Sequence, residues 1–438
     1  MAVALTIAGS DSIGGAGIQA DIKALASMGI HAASVITCIT SQNTQKVKDI
    51  YPLPIGQIVS QLEAVLEDAE VEVAKTGMLY SAEIAKVVAE HIETRVIPLV
   101  VDPVLVAGVG DSLHKKDLVK ALKTELIPLS CCVSPNVYEA EVLSGMRISS
   151  LNEARKACRS IAKLGAKSVL LKGGHLKGDF VTDLLYYEGE FLEIKAPRVD
   201  LKPHGSGCHL SAYIAGYLTQ GIGIKEAVIA ARGRTEDALE AHYSIGRGLD
   251  IIDSLATLQR EAQRYQVLVD LKENVERLES MLTRDWVPEV GINFAYALPH
   301  ARYLEDACAL EGRIAWTGGK AVHCGCLAYG SSRHIARVVL TAMRRDQSKR
   351  SALNLRFSEM NLKKLKEAGL AIGTFDRSKE PKDVKTMEWG TDSAILRMGK
   401  VPDIIYDKGG PGKEAMIRVL GNDPWDVLGK VKDAIALR

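Results

Sequence analysis

VALTIAGSDSIGGAGIQADIKALASMG, residues 3–29, is the stretch whose reading decides the fold. Its first seven residues are an apolar run and read as a buried strand. Gly14, Gly15 and Gly17 interrupt the run, and the following IQADIKALASMG reads as a helix closed by Gly29. Strand, glycine loop and helix in that order open an α/β sheet.

The same alternation continues to about residue 245. HAASVITCI (31–39) reads as a second buried strand. In PIGQIVSQLEAVLEDA (54–69), Ile55, Ile58, Val59, Leu62, Val65 and Leu66 share one helical face. Short apolar runs recur at VEVAKTG (71–77), IPLVVDPV (97–104), CCVSPN (131–136) and SVLLKGG (168–174), each ending in a polar, Gly or Pro tip. The pattern predicts a mostly parallel sheet flanked by helices. Ligands in such folds sit at the carboxyl ends of the strands, so the tips Gly9, Asp102, Asn136 and Lys172 are the candidate site. A polar helical run occupies about 250–280, and a second α/β pattern starts near WVPEVGINFAYALPHA (286–301). The expected organisation is a first domain over 1–250, a linker over 251–264 and a second domain over 265–438.

Composition excludes several classes. A length of 438 residues exceeds one ordinary core, which agrees with two domains. The net charge of +1 gives no reason to expect nucleic-acid binding. No apolar run reaches the roughly 18 residues of a membrane span. The apolar MAVALTIAG lacks a basic leader and reads as a strand, not a signal peptide. The eight cysteines form no paired CxxC motif, so reduced thiols and a cytoplasmic location are expected. VHCGC (322–326) places His323, Cys324 and Cys326 too close together for a zinc site, with no second ligand pair.

PHGSGCHLSAYIAGYL (203–218) carries the sharpest chemistry. Gly205, Ser206 and Gly207 lead into a helix that bears Cys208. A helix amino terminus presents unpaired N–H groups and partial positive charge, and glycines let a phosphate approach them. The same positive end is expected to lower the thiol's pKa and favour the thiolate. A lone cysteine there is also read as a small packed residue.

Taken in order, LTIAGSDSIGGAGIQADIKAL, VITCITSQNT, KTGMLYSAE, DPVLVAG, SPNVYEAEVLSG, LLKGGH and the GSGC loop closely resemble the hydroxymethylpyrimidine and hydroxymethylpyrimidine phosphate kinases of the ribokinase-like superfamily. The resemblance covers about residues 1–245. It implies ATP-dependent phosphorylation of a hydroxymethyl group and then of the resulting phosphate. By resemblance, Cys208 is the base of the first step, and Gly205, Ser206 and Gly207 with Cys208 form an anion hole. Asp21 and Gln42 are matched to pyrimidine contacts, and Gly9, Met78 and Val106 to the pocket walls. Lys172 is matched to nucleotide phosphates, and Asp102 and Glu139 are candidates for a hydrated Mg²⁺. Asp21, Asp102 and Glu139 also suit helix-end or ion-pair roles. Two departures lie near the expected phosphate site. Gly108 and Val109 stand where relatives carry a polar or basic residue and a serine, and His209 stands where threonine is common.

In the second half, YGSSRHIARVVLTAM (329–343) puts Ser331 and Ser332 at a helix start, as caps or as phosphate ligands. SALNLRFSE (351–359) turns Leu353, Leu355 and Phe357 to one face and Asn354 and Arg356 to the other. AIGTFDR (371–377) sends Arg377 from another strand end, and arginines suit phosphates. VPDIIYDKGGPGKEAMIRVLG (401–421) is a strand and a glycine loop with Lys413, an anion nest without P-loop spacing. These motifs resemble the thiamine phosphate synthase domain often fused behind this kinase. The resemblance implies coupling of hydroxymethylpyrimidine diphosphate to thiazole phosphate, with Arg356 and Arg377 as anion contacts and Asn293, Ser332, His334 and Lys413 as further candidates. The same domain also occurs as a thiamine phosphate sensor, which is the alternative. The expected partners are ATP, Mg²⁺ and small-molecule substrates in a homo-oligomer, with no nucleic acid and no membrane.

Overall fold

The structure is a computed structural model that describes residues 1–108, 110–111, 113–175, 180–197, 203–381, 386–410 and 412–437. The chain divides into two compact units, Met1–Leu258 and Gln259–Arg438. Part of the segment expected as a linker is helical. Val267, Leu271, Val275 and Leu278 recur at helical spacing and are buried, which carries one helix over Ala256–Met281.

Among the described residues the first unit holds nine strands: β1 (Val3–Asp11), β2 (His31–Gln42), β3 (Val47–Pro52), β4 (Val73–Thr76), β5 (Leu99–Val101), β6 (Ser130–Val133), β7 (Ser168–Leu171), β8 (Phe180–Tyr187) and β9 (Glu190–Pro197). Their order is β3-β2-β1-β4-β5-β6-β7-β8-β9. The six strands from β2 to β7 pair in parallel, and β3, β8 and β9 add antiparallel edges. The sequence explains why this sheet is covered on both faces. Leu5, Ile7, Leu99, Val101, Val169 and Leu171 point into one core, with Ile58 and Leu62 of the helix Ile55–Asp68 and Val88 of Ala82–Arg95. Val73, Val100, Cys132 and Leu170 point into the other, with Leu210 and Ile214 of the helix Ser206–Thr219 and Val228 of Ile224–Glu240. Each such fully buried Leu, Ile or Val contributes about 1.5–3 kcal/mol. Gly9, Asp102 and Lys172 lie at the carboxyl ends of β1, β5 and β7, where the alternation predicts a site.

The second unit contains β10 (Phe294–Ala297), β11 (Ala307–Leu310), β12 (Ile314–Thr317), β13 (Lys320–His323), β14 (Leu327–Tyr329), β15 (Ser351–Arg356), β16 (Ile372–Thr374), β17 (Ile404–Asp407) and β18 (Met416–Gly421). Seven of them form a sheet ordered β14-β11-β10-β15-β18-β17-β16, and β12 pairs with β13. Only β16 and β17 are parallel in that sheet. Alternation again separates two cores. Phe294, Leu353, Leu355, Ile404, Ile417 and Val419 pack with the helices Ala256–Met281 and Pro424–Ala436. Ala295, Ala352, Ile405 and Leu420 pack with the helix Arg333–Met343. The polar residues Asn354, Arg356, Asp407 and Arg418 share the parity of this second set. They therefore belong to the sheet face covered by Arg333–Met343.

Candidate functional site

In the first unit two loops far apart in sequence meet backbone to backbone. Gly205 precedes the helix Ser206–Thr219 with φ of 86°, and a Cβ on it would lie 1.8 Å from the Gly15 carbonyl oxygen. Only glycine satisfies both demands. Gly9 sits at a register irregularity between β1 and β2, where a Cβ would meet Cys38 Sγ at 2.8 Å and Met78 Sδ at 3.2 Å. Met78 packs with Cys38, Ala107 and Leu113 in an apolar patch, and Val106 is half-buried. Gln42 ends β2, and its amide nitrogen lies 3.1 Å from His204 Nε2.

His204 and Asp11 complete this side of the site, and sequence reading passed over both. His204 Nε2 donates to Asp11 Oδ2 at 2.8 Å, and the N–H groups of Gly15 and Ala16 donate to the same oxygen at 3.0 and 2.9 Å. Burial alone would raise the Asp11 carboxyl. The His204 hydrogen bond and charge and the backbone N–H groups instead hold it below the usual carboxylate range. Asp11 thus pins the glycine loop 14–17 and His204 together. His204 stands immediately before the GSGC loop, which was the available signal.

Cys208 keeps partial exposure in a densely packed cleft, and its chemistry differs from the sequence expectation. Desolvation pushes the thiol up to about 12; Lys75 opposes this, while Asp102 and Asp21 add to it. The helix end does not acidify it, because burial and two neighbouring carboxylates outweigh one dipole and one lysine. The resting group is a thiol. Lys75 lies in two of the quoted stretches, VEVAKTG and KTGMLYSAE, and was given no role there. It is 2% exposed, and its Nζ donates to Asp21 Oδ1 and Oδ2 at 2.9 and 2.8 Å. Thr6 Oγ1 donates to Asp21 Oδ2 at 2.5 Å. Asp21 has no exposure and both its oxygens are engaged. Oδ1 accepts one bond only, so a contact between Asp21 and a pyrimidine amine requires the side chains that cover it to move rather than the Lys75 pair to break.

On the other side of Cys208, Lys172 Nζ donates to Asp102 Oδ1 at 2.9 Å, and Ser211 Oγ to Asp102 Oδ2 at 3.1 Å. A Cβ on Gly207 would lie 3.1 Å from Lys172 Nζ, which ties this cation to the helix start. Glu139 forms a capping box with Asn136: Asn136 N donates to Glu139 Oε2 at 2.8 Å and Glu139 N to Asn136 Oδ1 at 2.9 Å. Burial pushes the Glu139 acid up to about 7, Lys172 opposes the shift and Asp102 reinforces it. A cavity of about 230 Å³ opens beside these groups, lined by Lys172, Asp183, Ser206, Gly207, Leu210 and Arg232 among others. The two departures noted in the sequence have different outcomes. His209 is 1% exposed and its Nδ1 bonds the Gly205 carbonyl, so it braces the helix's first turn. Gly108 lies near His204 Nδ1, and Val109 is outside the described residues.

In the second unit the polar face of the sheet gathers a different set. Arg377 Nε and Nη2 donate to Asp407 Oδ1 and Oδ2 at 2.6 and 3.2 Å, and Arg418 Nη1 donates to Asp407 Oδ2 at 2.8 Å. His334, in the first turn of Arg333–Met343, keeps an exposed edge, and crowding by the protein and then Arg418, Arg377 and Arg313 push it down to about 4. Ser332 does not cap that helix as its position suggested. Its φ is 50°, its side chain makes no cap bond, and its Oγ is buried with no partner among the described residues. Asn293 Nδ2 donates to the carbonyls of Leu310 and Gly312 at 2.8 and 2.9 Å, and its Oδ1 is likewise buried and unpartnered. Arg356 ends β15 on the same face, two residues from Asn354. Lys413 is half exposed and pairs with Glu380 at 3.5 Å. Arg418, Asp407 and Arg313 were not anticipated. An arginine inside MIRVLG, a strand otherwise apolar, was the visible signal for Arg418.

Comparison with known proteins agrees with both units. Residues 11–253 match the phosphomethylpyrimidine kinase family, and residues 270–433 match thiamine-phosphate synthase ThiN. The chain is 32% identical to the bifunctional thiamine biosynthesis protein ThiDN of Methanocaldococcus jannaschii, covering 98% of this chain and 97% of that one. It is 44% identical over 246 residues to the thiamine biosynthesis bifunctional protein ThiED of Geobacter sulfurreducens, 56% of this chain but only 50% of that protein's length. A Bacillus subtilis pyridoxal kinase solved as an ADP complex superposes with a TM-score of 0.55 at 30% identity, covering 59% of this chain and 99% of that one. No helix among the described residues is long and apolar enough to cross a membrane. With one relative matched over nearly its whole length and each unit matched to its own family, the chain belongs to the bifunctional thiamine biosynthesis proteins that join a phosphomethylpyrimidine kinase to a ThiN-type synthase.

Proposed function

We infer that the first unit uses ATP to phosphorylate 4-amino-5-hydroxymethyl-2-methylpyrimidine and then its monophosphate. The second unit couples the diphosphate to thiazole phosphate, giving thiamine phosphate and pyrophosphate. The observation that carries the kinase reading is the convergence of Cys208, Lys172 and Asp102 on the helix start at 205–208, beside the 230 Å³ cavity. Transfer of a γ-phosphoryl group passes through a loose transition state, so positioning and charge stabilisation dominate. Backbone N–H groups at Gly205–Cys208 and the Lys172 ammonium supply that stabilisation. In the first transfer the alcohol oxygen bonds to phosphorus, ADP leaves, and the alcohol proton passes to the Cys208 sulfur in its thiolate form. Lys75 favours that form. In the second transfer the nucleophile is already an anion, and the sulfur has no proton to take.

Asp102 and Glu139 both act on Lys172, Asp102 acts on Lys75 as well, and burial pushes the Glu139 acid up to about 7. Two neighbouring carboxylates fit a hydrated Mg²⁺, which prefers few carboxylates and several waters. When bound there, Mg²⁺ supplies charge neutralisation for the nucleotide phosphates.

In the second unit, the thiazole nitrogen's lone pair forms the new C–N bond while the C–O bond to the diphosphate breaks. The departing pyrophosphate gathers negative charge, and Arg377 and the first turn of Arg333–Met343 offer positive charge to receive it. One assay tests the whole reading. The chain receives the free pyrimidine, ATP, Mg²⁺ and thiazole phosphate, and thiamine phosphate is the expected product. Diphosphate that accumulates without coupling favours the sensor reading of the second unit.

A further inference from the structure

Arg418 is fully buried on the central strand β18, opposite Asn354 of β15. Its guanidinium lies 5.5 Å from the Phe375 ring centre and reaches Asp407 through Nη1 alone. Its Nε and Nη2 are buried with no partner among the described residues. Arg377 holds the same carboxylate by its Nε and Nη2 edge, and the Gly409 N–H donates to Asp407 Oδ1 at 2.9 Å. Each arginine therefore turns one side of its fork to Asp407 and keeps the other. Buried guanidinium N–H groups without acceptors are rare in native structures and call for an explanation. The surroundings supply one. Arg313, Arg377 and Arg418 all act on His334, and Asp407 opposes them. Two guanidinium groups share the single Asp407 carboxylate, an excess of positive charge that suits a diphosphate. The unpartnered hydroxyl of Ser332 stands at the start of the same helix as His334.

We propose that Arg418 is an anion-binding residue of the second unit's site, and that Asp407 positions both Arg418 and Arg377 for a diphosphate group. The proposal rests on the synthase reading and deepens it. Asp407 is a positioning residue, because it acts through the two arginines and carries the wrong charge to meet the ligand itself. Arg418→Lys keeps the charge and removes the fork, and Asp407→Asn keeps the shape and weakens the clamp.

The test uses the full chain supplied directly with hydroxymethylpyrimidine diphosphate, thiazole phosphate and Mg²⁺. In each variant KM for the diphosphate rises by about tenfold or more while kcat falls by less than about threefold, the split expected for lost ground-state binding. Kinase activity in the same preparations stays at the wild-type level and reports an intact first unit. Pyrophosphate titrated into each protein by calorimetry binds about tenfold more weakly than to wild type. Unchanged KM and unchanged pyrophosphate affinity in Arg418→Lys overturn the proposal. Should that variant fail to fold, Asp407→Asn decides by the same two measurements. If the wild-type chain couples nothing, the synthase reading fails. Pyrophosphate binding then still decides the clamp: weaker binding to Asp407→Asn supports it, and equal binding overturns it.

Discussion

Lys75 and Asp21 form an ion pair at 2.8 Å inside the first unit, with side-chain exposures of 2% and 0%. The lysine comes from β4, which is otherwise apolar or hydroxylated, and the aspartate from the helix Gly17–Ala26. Such a pair adds little net stability over an apolar replacement, but breaking it on one side strands a buried charge. Lys75→Met is therefore expected to destabilise the chain by about 3–5 kcal/mol in urea denaturation. Lys75→Met with Asp21→Leu should recover most of that loss. A single-variant cost under about 1 kcal/mol would show that water reaches the pair.

Cys208 sets a pH dependence. With the thiol near 12, the thiolate fraction rises about tenfold for each pH unit through the neutral range. Phosphorylation of the alcohol should rise with pH accordingly between about pH 6 and 9, and phosphorylation of the monophosphate should stay nearly flat. Cys208→Ala is expected to lower the first rate by about 10²–10⁴-fold and the second far less. Parallel pH profiles for the two substrates would remove the base role.

Glu139 links stability to pH in the opposite sense from an ordinary acid. Its folded-state acid sits at about 7 against 4.5 when unfolded, so the folded chain binds that proton more tightly. Stability is greatest below pH 4.5 as far as this group is concerned, and it declines as pH rises through 7. Glu139→Gln keeps an oxygen for the Asn136 N–H. It should raise the melting temperature at pH 8 and leave it nearly unchanged at pH 4.5. The same variant should weaken Mg²⁺-dependent kinase activity.

Ser332 separates function from folding. Its hydroxyl is buried without a partner among the described residues, so Ser332→Ala should leave stability within about 1 kcal/mol of wild type, on the stabilising side. If the hydroxyl meets a phosphate, KM for a phosphorylated substrate of the synthase reaction rises. A thermal melt and a KM determination on one preparation give both answers.

Most of the first unit was legible because its strands announce themselves twice, by apolar runs and by the tips that end them. Leu99 and Val101 face one core and Val100 the other, and that two-sided burial turns a parallel strand into a continuous apolar word. The glycines at 15 and 205 were readable as loops, but not as partners. Their contact joins segments 190 positions apart, and no local pattern encodes it. Cys208 shows another limit. A helix end is a local property and can be read, whereas burial and the carboxylates of Asp102 and Asp21 arrive only with the tertiary fold. In the second unit, alternation separated Leu353 and Leu355 from Asn354 and Arg356. It did not reveal that β18 would lay Arg418 beside Asn354, because register between strands far apart in sequence is set by the whole sheet.

The close approach of Gly205 to the Gly15 carbonyl has a practical consequence for anyone remodelling substrate choice in this kinase. Random libraries built in either loop will mostly yield dead clones unless both positions are held fixed, since a single methyl at 205 collides with main chain that no rotamer change can move. Diversity has to be placed around that junction, with Gly15 and Gly205 left unchanged.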